Sequence, residues 1–392
     1  MYPNLYYFFQ DIFGIKLSFL QIFQSFGVLV AISFLFAAYF FSKELQRKEG
    51  EGLISVGEKK YLKGEAPKIS EIVLSSVFGF ILFYKLVYIA FNFSAFSGDT
   101  QGFILSLQGN LMGGIAGAAL LGWMRYSEMK KAQLEKPEGV TVKFHPFEHV
   151  PNMTLIAAVA GILGAKIFHN LENMDEFMRD PVGSLLSFSG LTMYGGLIVA
   201  AFSVIYYARK NGITTAHLID ACAPSLMLAY GTGRIGCHIA GDGDWGIDNL
   251  SAKPSWFFLP DWAWAYTYPH NVNNVGIPIP GCEGKYCSVL ENPVFPTPIY
   301  EAIICIGLFF VLWSIRKKIT TPGIMFSLYL ILNGTERYFI EKIKINNKYD
   351  IFGWHITQSE LIAIMLFMLG ITGIFYFRKK SPSSTLPKGK GD

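Results

Sequence analysis

Residues 231–246 combine glycines with fixed charges in a pattern that suits the binding of a charged group at a membrane surface. The segment reads Gly-Thr-Gly-Arg-Ile-Gly-Cys-His-Ile-Ala-Gly-Asp-Gly-Asp-Trp-Gly and closes a long apolar stretch, yet it carries Arg234, Asp242 and Asp244. Charges near a membrane boundary are costly unless they are paired, hydrated or bound to a polar ligand. Glycine removes side chains and lets the backbone approach that ligand closely. We therefore expect a ligand site at the lipid–water interface.

A second arginine is predicted to face the same side of the membrane. Arg337 and Glu341 are four residues apart in another apolar segment, so they share one helix face. Arginine stays charged, and its planar fork of donors matches phosphate oxygens. Arg234 and Arg337 together predict a cavity, open to the outer leaflet, that holds a phospholipid head group. Other residues of the apolar segments complete the candidate site: Tyr194, Gly195, Gly196, Tyr300 and Glu301.

A structural role for the same charges stays open. In that interpretation Arg337 pairs with Glu341 or Glu336, and Arg234 pairs with Asp242. Convergence of the two arginines on one membrane face favours a ligand site over isolated ion pairs.

The remaining candidates for chemistry are weaker. His238 is a general base by type, but a histidine at a helix end also suits a capping or interface role. An EF-hand loop starting at Asp242 would place Ile247 at position six and Lys253 at position twelve, where Gly and Glu are needed. The other histidines show no metal-ligand spacing. We therefore expect neither a metal nor a cofactor.

The composition is that of a polytopic membrane protein. The chain has 392 residues, of which 52% are hydrophobic and 16% charged, whereas soluble domains carry about 25% charged residues. A membrane-spanning helix needs about 20 apolar residues, and about nine segments qualify. This predicts an all-α fold with spans at Phe19–Phe41, Ile72–Phe93, Phe103–Met124, Met153–Phe168, Leu185–Tyr207, Leu218–Ile239, Pro298–Ile315, Ile324–Ile340 and Gln358–Phe377.

Basic residues in the short loops predict the orientation, because lysine and arginine accumulate on the cytoplasmic side. They follow every odd-numbered span, which places the N-terminus outside and the C-terminus inside. One basic loop does not fit this pattern: Lys342, Lys344 and Lys348 lie outside in this scheme, which indicates a local function of the loop or an error in the number of spans. The net charge of +4 reflects this bias and gives no reason to expect nucleic acid as a partner.

The predicted organisation is a single transmembrane domain over residues 1–378, followed by a disordered cytoplasmic tail at 379–392. Residues 241–297 form a long external loop rich in Trp, Pro and Asn, which we expect to cover the site. The loop contains Cys282 and Cys287, which an oxidising exterior would permit to form a disulfide. From the sequence, a bridge and two free thiols are equally compatible with this loop.

Six short motifs, in order, resemble the prolipoprotein diacylglyceryl transferase family. The segment from Gly233 to Gly246 is similar to its GRxGN-type signature, which ends in an acidic residue, Trp and Gly. The others are similar to its GARIF, SGMSFHGGLIG, HPTQLYE, Arg-x-x-x-Glu and MGQ types: Gly164–Phe168, Ser189–Ile198, Pro296–Glu301, Arg337–Glu341 and Ile356–Ser359. The chain is identified as a divergent member over about residues 18–42 and 152–378.

The resemblance implies a reaction at the outer leaflet of a bacterial cytoplasmic membrane. The diacylglyceryl group of phosphatidylglycerol passes to the lipobox cysteine thiol of a prolipoprotein, and glycerol phosphate is released. By analogy, Arg234 and Arg337 hold the phosphate and stabilise the leaving group. Asp242 and Glu341 take the places of the family's acidic residues. Lipid or peptide would approach closely at Gly236 and Gly246.

The chain departs from the family pattern at three positions. Tyr194 stands where the family has the histidine before Gly-Gly, Cys237 replaces an asparagine, and Phe26 replaces a tyrosine. An unperturbed tyrosine titrates near pH ~10, so Tyr194 is a poor base at neutral pH. The helix pair at 70–125 is predicted to be an insertion relative to the family core. Two alternatives stay open: a transferase with substituted groups, or a non-catalytic lipid-binding or lipid-transport protein on the same scaffold.

Overall fold

The computed structural model describes residues 1–93, 96, 103, 106–186, 192–346, 348–351 and 354–380. The named helices of this part are α1 Leu5–Phe13, α2 Ser25–Gly50, α3 Ile69–Phe91, α4 Leu111–Ala132, α5 Val150–Glu172, α6 Met174–Arg179, α7 Pro181–Leu186, α8 Met193–Lys210, α9 Thr215–Ala240, α10 Thr297–Ile315, α11 Ile324–Glu341 and α12 Gln358–Lys380. Three antiparallel pairs of short strands accompany them: β1 Gly57–Lys63 with β2 Glu138–Phe144, β3 Ile277–Pro278 with β4 Ser288–Val289, and β5 Lys348–Ile351 with β6 Trp354–Thr357.

A long helix lies at each of the nine predicted spans within the described residues. Five are long and apolar enough to cross a membrane: Ser25–Gly50, Ile69–Phe91, Pro146–Glu172, Thr297–Ile315 and Gln358–Lys379. The protein is therefore a predominantly helical membrane protein. The count of nine spans and the orientation of the termini stay predictions.

The predicted start of the third span at Phe103 is wrong. Helix α4 begins at Leu111, because the side chain of Asn110 caps it by accepting a hydrogen bond of 2.8 Å from the backbone N–H of Gly113. At the other end of the chain, α12 continues to Lys380, and the rest of the predicted tail lies outside the described residues. The first residues of the Ser189–Ile198 motif also lie outside them.

The chain divides into two compact units. The first contains Met1–Ser55, His149–Thr154 and the chain from Ala208 onward, and the second contains Val56–Glu148 and Leu155–Tyr207. The single domain predicted over residues 1–378 stays a prediction.

In the second unit, helices meet through glycines. A Cβ placed on Gly79 of α3 would lie 2.3 Å from the carbonyl oxygen of Gly117 on α4, so the two backbones touch at a position that only glycine permits. Residues 57–63 and 138–144 of the same unit form β1 and β2, which pair with Gly57 opposite Phe144. That this helix pair is an insertion stays a prediction.

In the first unit, α9 packs against α2, α10 and α11. Its contact with α2 is close because Gly236 lacks a side chain: a Cβ there would lie 3.2 Å from Cβ of Leu29. An apolar core joins α9, α10 and α11: Ala223, Met227, Leu228, Cys305, Phe309, Leu312 and Met325. Helix α9 ends at Ala240, and its C-cap residue Gly241, with a positive φ of 63°, turns the chain into the 241–297 segment.

Candidate functional site

Three cations and three carboxylates meet where α9, α10 and α11 come together in the first unit. The central group is Glu301, near the start of α10, whose side chain is completely buried. Its Oε2 lies 2.8 Å from Nε of Arg234 and 3.7 Å from Nη1 of Arg337. Its Oε1 lies 2.9 Å from Nζ of Lys344. The two arginines singled out in the sequence are therefore brought together through one buried carboxylate.

Arg234 is held from several directions. Its Nη1 forms an ion pair with Asp244, and its Nη2 donates a hydrogen bond of 3.2 Å to the hydroxyl of Tyr230. That hydroxyl in turn donates to Glu301. The guanidinium carbon lies 4.9 Å from the centroid of the Tyr230 ring, a cation–π distance. The guanidinium plane is thus fixed before any ligand arrives.

Asp244, and not Asp242, is the aspartate that pairs with Arg234. Oδ1 of Asp242 instead accepts a hydrogen bond of 3.2 Å from the backbone N–H of Asp244, two residues along the chain. This local bond is an Asx-type turn, which an aspartate before glycine forms readily. Asp242 therefore shapes the turn that presents Asp244.

Arg337 and Glu341 pair across one turn of α11, as their spacing predicts. Nη2 of Arg337 lies 2.9 Å from Oε2 of Glu341 and donates a hydrogen bond of 3.0 Å to Oγ of Ser359. Oε1 of Glu341 accepts from Oγ1 of Thr357 at 2.8 Å and from Nδ2 of Asn346 at 2.5 Å. The Glu341 carboxylate is therefore anchored on one oxygen and orients Arg337 with the other.

Lys344 is a member of the cluster for which the sequence predicted no specific role. Its side chain is 3% exposed, and Nζ lies 2.5 Å from Oδ1 of Asp244 as well as 2.9 Å from Oε1 of Glu301. Burial, and next the nearby Arg234, lowers the pKa of Lys344 to about 8. The sequence signal was the basic run after α11, which contradicted the charge bias of the other loops.

Glu336 is a second residue that the sequence pointed to only as a possible ion-pair partner. Its residue exposure is 5%, and neither carboxylate oxygen has a hydrogen-bond partner among the described residues. Arg337, next in the chain, pairs with Glu301 and Glu341 instead. A buried carboxyl without partners is costly in a packed protein, which makes it a candidate for chemistry.

Gly246 and Tyr300 support the site through the backbone. A Cβ on Gly246 would lie 2.4 Å from the carbonyl oxygen of Ile343, the residue before Lys344. The N–H of Ile247 donates to that same carbonyl at 2.9 Å. The hydroxyl of Tyr300 donates to the carbonyl of Ala263 at 2.7 Å and so ties α10 to the 241–297 segment.

His238 lies one turn beyond Arg234, in an aromatic environment. Its Nδ1 is 3.1 Å from the hydroxyl of Tyr268, and its ring contacts Trp262 and Tyr266 at centroid distances of 5.6 and 5.9 Å. No ion pair of His238 with an acidic residue occurs in the described part of the chain. The imidazole ring of His238 is therefore held by packing against aromatic rings and by its hydrogen bond with the Tyr268 hydroxyl.

Tyr194, Gly195 and Gly196 belong to the second unit, where the two glycines serve helix packing. A Cβ on Gly195 would lie 2.3 Å from Cβ of Phe168, and one on Gly196 would lie 2.8 Å from the carbonyl oxygen of Gly161. Helices α5 and α8 therefore approach closely along these positions, and Tyr194 is half-buried on α8.

The 241–297 segment contains the disulfide that the sequence left open, which closes the short loop from Cys282 to Cys287. Cys282 and Cys287 are bonded, with their Cα atoms 5.6 Å apart. Helix α9 ends at Ala240 and α10 begins at Thr297, so this segment joins the two helices. Among the residues that the structure describes, no three or more His, Cys, Asp or Glu side chains are arranged to hold a metal.

The chain is similar to known proteins over more than half of its length. The family model described as prolipoprotein diacylglyceryl transferase matches residues 115–376. A Dehalococcoides mccartyi protein named phosphatidylglycerol–prolipoprotein diacylglyceryl transferase is 26% identical over 236 residues, which cover 60% of this chain and 79% of that protein. A Clostridium tetani protein of the same name is 28% identical over 236 residues, covering 59% and 83%.

The matched region contains α9, α10 and α11, and with them Arg234, Glu301, Arg337 and Lys344. The match extends over more than half of the chain, and the family's motifs fall where the ion-pair cluster is built. The chain belongs to the prolipoprotein diacylglyceryl transferase family.

Proposed function

We propose that this protein transfers the diacylglyceryl group of phosphatidylglycerol to the cysteine thiol of a prolipoprotein, the first step of lipoprotein maturation. The observation that carries the proposal is the convergence of Arg234, Arg337 and Lys344 on the single buried carboxylate of Glu301. An anionic phosphate entering between these groups would meet three cations whose positions are already fixed.

The reaction forms a thioether and releases glycerol phosphate. The cysteine sulfur attacks the carbon of the diacylglyceryl group that is bonded to a phosphate oxygen. The bond between that carbon and that oxygen breaks, and the oxygen leaves as part of glycerol phosphate. The thiol proton passes to a base. Negative charge grows on the departing phosphate, and cations fixed in a dry site stabilise that charge best.

Arg234 and Arg337 bind the phosphate in this mechanism, and Lys344 adds a third cation. Asp244, Glu301 and Glu341 are positioning residues: Glu341 holds one of the cations, Asp244 holds two and Glu301 holds all three. The three carboxylates balance the three cations when lipid is absent, so the resting site carries little net charge. Asp242, Gly236, Gly246 and Tyr300 support this arrangement through turns and close packing, whereas Gly195 and Gly196 bring α5 and α8 together within the second unit.

The base that takes the thiol proton is best sought among three residues. A free cysteine with a pKa near ~8.5 is mostly protonated at neutral pH, so a base speeds the attack. Tyr194 replaces the family's histidine, and His238 lies near the cluster but is bonded to Tyr268. Glu336 is the carboxyl beside Arg337 that no described residue bonds. We propose Glu336 as the proton acceptor, with His238 and Tyr194 as the alternatives.

The proposed setting is a bacterial cytoplasmic membrane crossed nine times, with the N-terminus outside, the C-terminus inside and the site facing the outer leaflet. Exposed apolar side chains support immersion of the helices in lipid, as on α3, where Leu74, Phe78 and Ile81 are 71%, 61% and 59% exposed. The Cys282–Cys287 disulfide supports an oxidising side for the 241–297 segment. The partners are phosphatidylglycerol, prolipoprotein signal peptides with a lipobox cysteine, and the surrounding membrane lipids.

A lipid-binding protein without the chemistry is the second candidate, and Tyr194 is the observation that favours it. Replacement of the family's histidine by a weak base would leave phosphate binding intact and slow the transfer.

One experiment separates the two functions. Purified protein is incubated with phosphatidylglycerol and a lipobox peptide, and the thioether product is measured by mass spectrometry beside a lipid-binding assay. We expect product from the wild type and about 10²–10³-fold slower product formation from Arg337→Ala. Intact lipid binding without product in the wild type would refute the transferase and leave the binding protein.

A further inference from the structure

A cavity of about 740 Å³ lies in the first unit, between the N-terminal segment, the end of α9 and the 241–297 segment. Its size is typical of a binding site for a small molecule or a few peptide residues. The N-terminal wall is fixed to α9 by a backbone hydrogen bond of 2.9 Å from Tyr2 to Ile239. The opposite wall carries the Cys282–Cys287 bridge and Tyr286, whose ring contacts that of Tyr7 at 6.0 Å. Both walls are therefore held by specific contacts.

The cavity begins close to the phosphate site. His238 lines it, and Arg234 lies four residues earlier on α9, a rise of ~6 Å. An extended peptide advances ~3.3 Å per residue. A chain whose thiol reacts beside Arg234 would therefore reach His238 with its second or third residue after the cysteine.

The lining suits a peptide segment with a basic side chain. Five of the described lining residues are aromatic, two are carboxylates, and none is lysine or arginine, so the α-amino group of Met1 beside Asp11 is one cation against two carboxylates; the aromatic ones are Tyr2, Tyr7, Trp262, Tyr266 and Tyr286. Asp11 and Glu283 are exposed, and Oδ2 of Asp11 accepts a hydrogen bond of 2.6 Å from Tyr2. Aromatic faces beside carboxylates attract lysine and arginine side chains.

We propose that this cavity binds the residues that directly follow the lipobox cysteine in the prolipoprotein, and that it prefers a basic side chain at the second or third residue after that cysteine. The inference rests on the proposed transferase function and names the part of the peptide substrate that the protein reads outside the membrane. Asp11 and Glu283 supply the charge preference, and the aromatic walls supply contact area.

The test uses three lipobox peptides with phosphatidylglycerol. The first ends at the cysteine amide. The other two continue for three residues after the cysteine, and the second and third of these residues are lysine in one peptide and glutamate in the other. In the wild type we expect KM for the lysine peptide to be about three- to tenfold lower than for the glutamate peptide, as for an exposed charge pair aided by an aromatic contact. In the double variant Asp11→Asn, Glu283→Gln the two KM values should become equal within about twofold.

The exposed Glu291, which does not line the cavity, provides the matched control. Glu291→Gln should keep the wild-type ratio. A lysine-to-glutamate ratio that is the same in the wild type and the double variant, with the cysteine-amide peptide turned over normally, would overturn the cavity assignment and leave the transferase standing. Turnover of none of the three peptides, with lipid bound, would overturn the transferase and this inference with it.

Discussion

Oε2 of Glu301 lies 2.8 Å from Nε of Arg234, and the Glu301 side chain is entirely buried. The same oxygen is 3.7 Å from Nη1 of Arg337. A buried carboxylate shared by two arginines on different helices fixes the spacing of both guanidinium groups. The position of Glu301 therefore defines the gap that a phosphate would occupy.

Removal of the Glu301 charge should weaken the fold and leave the site avid for anions. Glu301→Gln leaves buried cations short of a counter-charge, which costs about 3–5 kcal/mol when one partner of a buried pair is lost. We expect a clearly lower Tm in detergent without anionic lipid, and partial recovery when phosphatidylglycerol is added, because the phosphate replaces the missing charge. Glu291→Gln serves as the exposed control. An unchanged Tm would contradict the central role of Glu301.

Either arginine should be indispensable for turnover. Arg234→Ala and Arg337→Ala each remove a preorganised donor to the leaving phosphate, a loss of about 10²–10³ in kcat for a group of this type. Mass-spectrometric product assays under saturating lipid measure the effect. Arg209→Ala changes an exposed arginine near the end of α8, away from the ion-pair cluster, and should retain activity. Turnover within threefold of the wild type in Arg234→Ala would exclude the phosphate role.

Lys344 should make activity sensitive to alkaline pH. Burial lowers its pKa to about 8, so the folded protein loses this cation as the pH rises through that value. Between about 8 and the ordinary lysine pKa of ~10.4 the unfolded chain still binds the proton, so this group's contribution to stability rises with pH while its phosphate contact is lost. Lys344→Arg keeps the charge throughout.

We therefore expect the ratio of wild-type to Lys344→Arg activity to fall above pH 8 or so, which a pH series of kcat/KM measures. The ratio cancels the ionisation of the substrate thiol, which is common to both proteins. The exposed Lys342, changed to arginine, is the control. A constant ratio from neutral to alkaline pH would show that Lys344 does not contact the phosphate.

Gly246→Ala should abolish activity through the backbone. The new Cβ would lie 2.4 Å from the carbonyl oxygen of Ile343, and relief of that clash moves the segment that carries Lys344. We expect at least a tenfold loss of kcat/KM, equivalent to about 1.4 kcal/mol, together with a lower Tm. Gly307→Ala on α10 meets no atom within 4 Å and should be tolerated. Wild-type kinetics in Gly246→Ala would mean that this contact does not position Lys344.

Glu336→Gln tests the proton acceptor with little change of shape. Since no described residue bonds either oxygen, the amide should fold normally, with an unchanged or higher Tm. We expect kcat to fall about 10²-fold or more, as for loss of a general base, with lipid binding retained. Tyr194→Phe and His238→Gln complete the set. Full activity in Glu336→Gln with a large loss in either of the others would move the base to that residue.

Much of the architecture could be predicted from the sequence because its causes are local or nearly so. Long apolar segments must form helices in lipid, since the bilayer offers no partners for the backbone. The spacing of Arg337 and Glu341 gave their ion pair, since residues four apart share a helix face. The boundaries of the 241–297 segment followed from where the apolar runs stop.

Other features depended on tertiary structure because they rest on distances between side chains that the spacing within one helix does not set. Asp242 and Asp244 are both plausible partners of Arg234 in sequence, and only the turn after Gly241 decides that Asp244 turns toward the arginine. Lys344 lies in a basic loop for which the sequence predicted no specific role, and only the burial of its side chain against Asp244 and Glu301 shows that it belongs to the cluster. The disulfide required the two cysteines to be near each other in space.

By itself, the sequence determined that this is a helical membrane protein with two arginines suited to a phosphate, because apolar length and side-chain charge are properties of the chain. Only the tertiary structure decided which carboxylates neutralise those arginines and that Lys344 joins them. It also left Glu336 buried without a partner among the described residues. The physical reason is that ion pairing depends on distances of a few ångströms between α9, α10 and α11, and packing sets those distances.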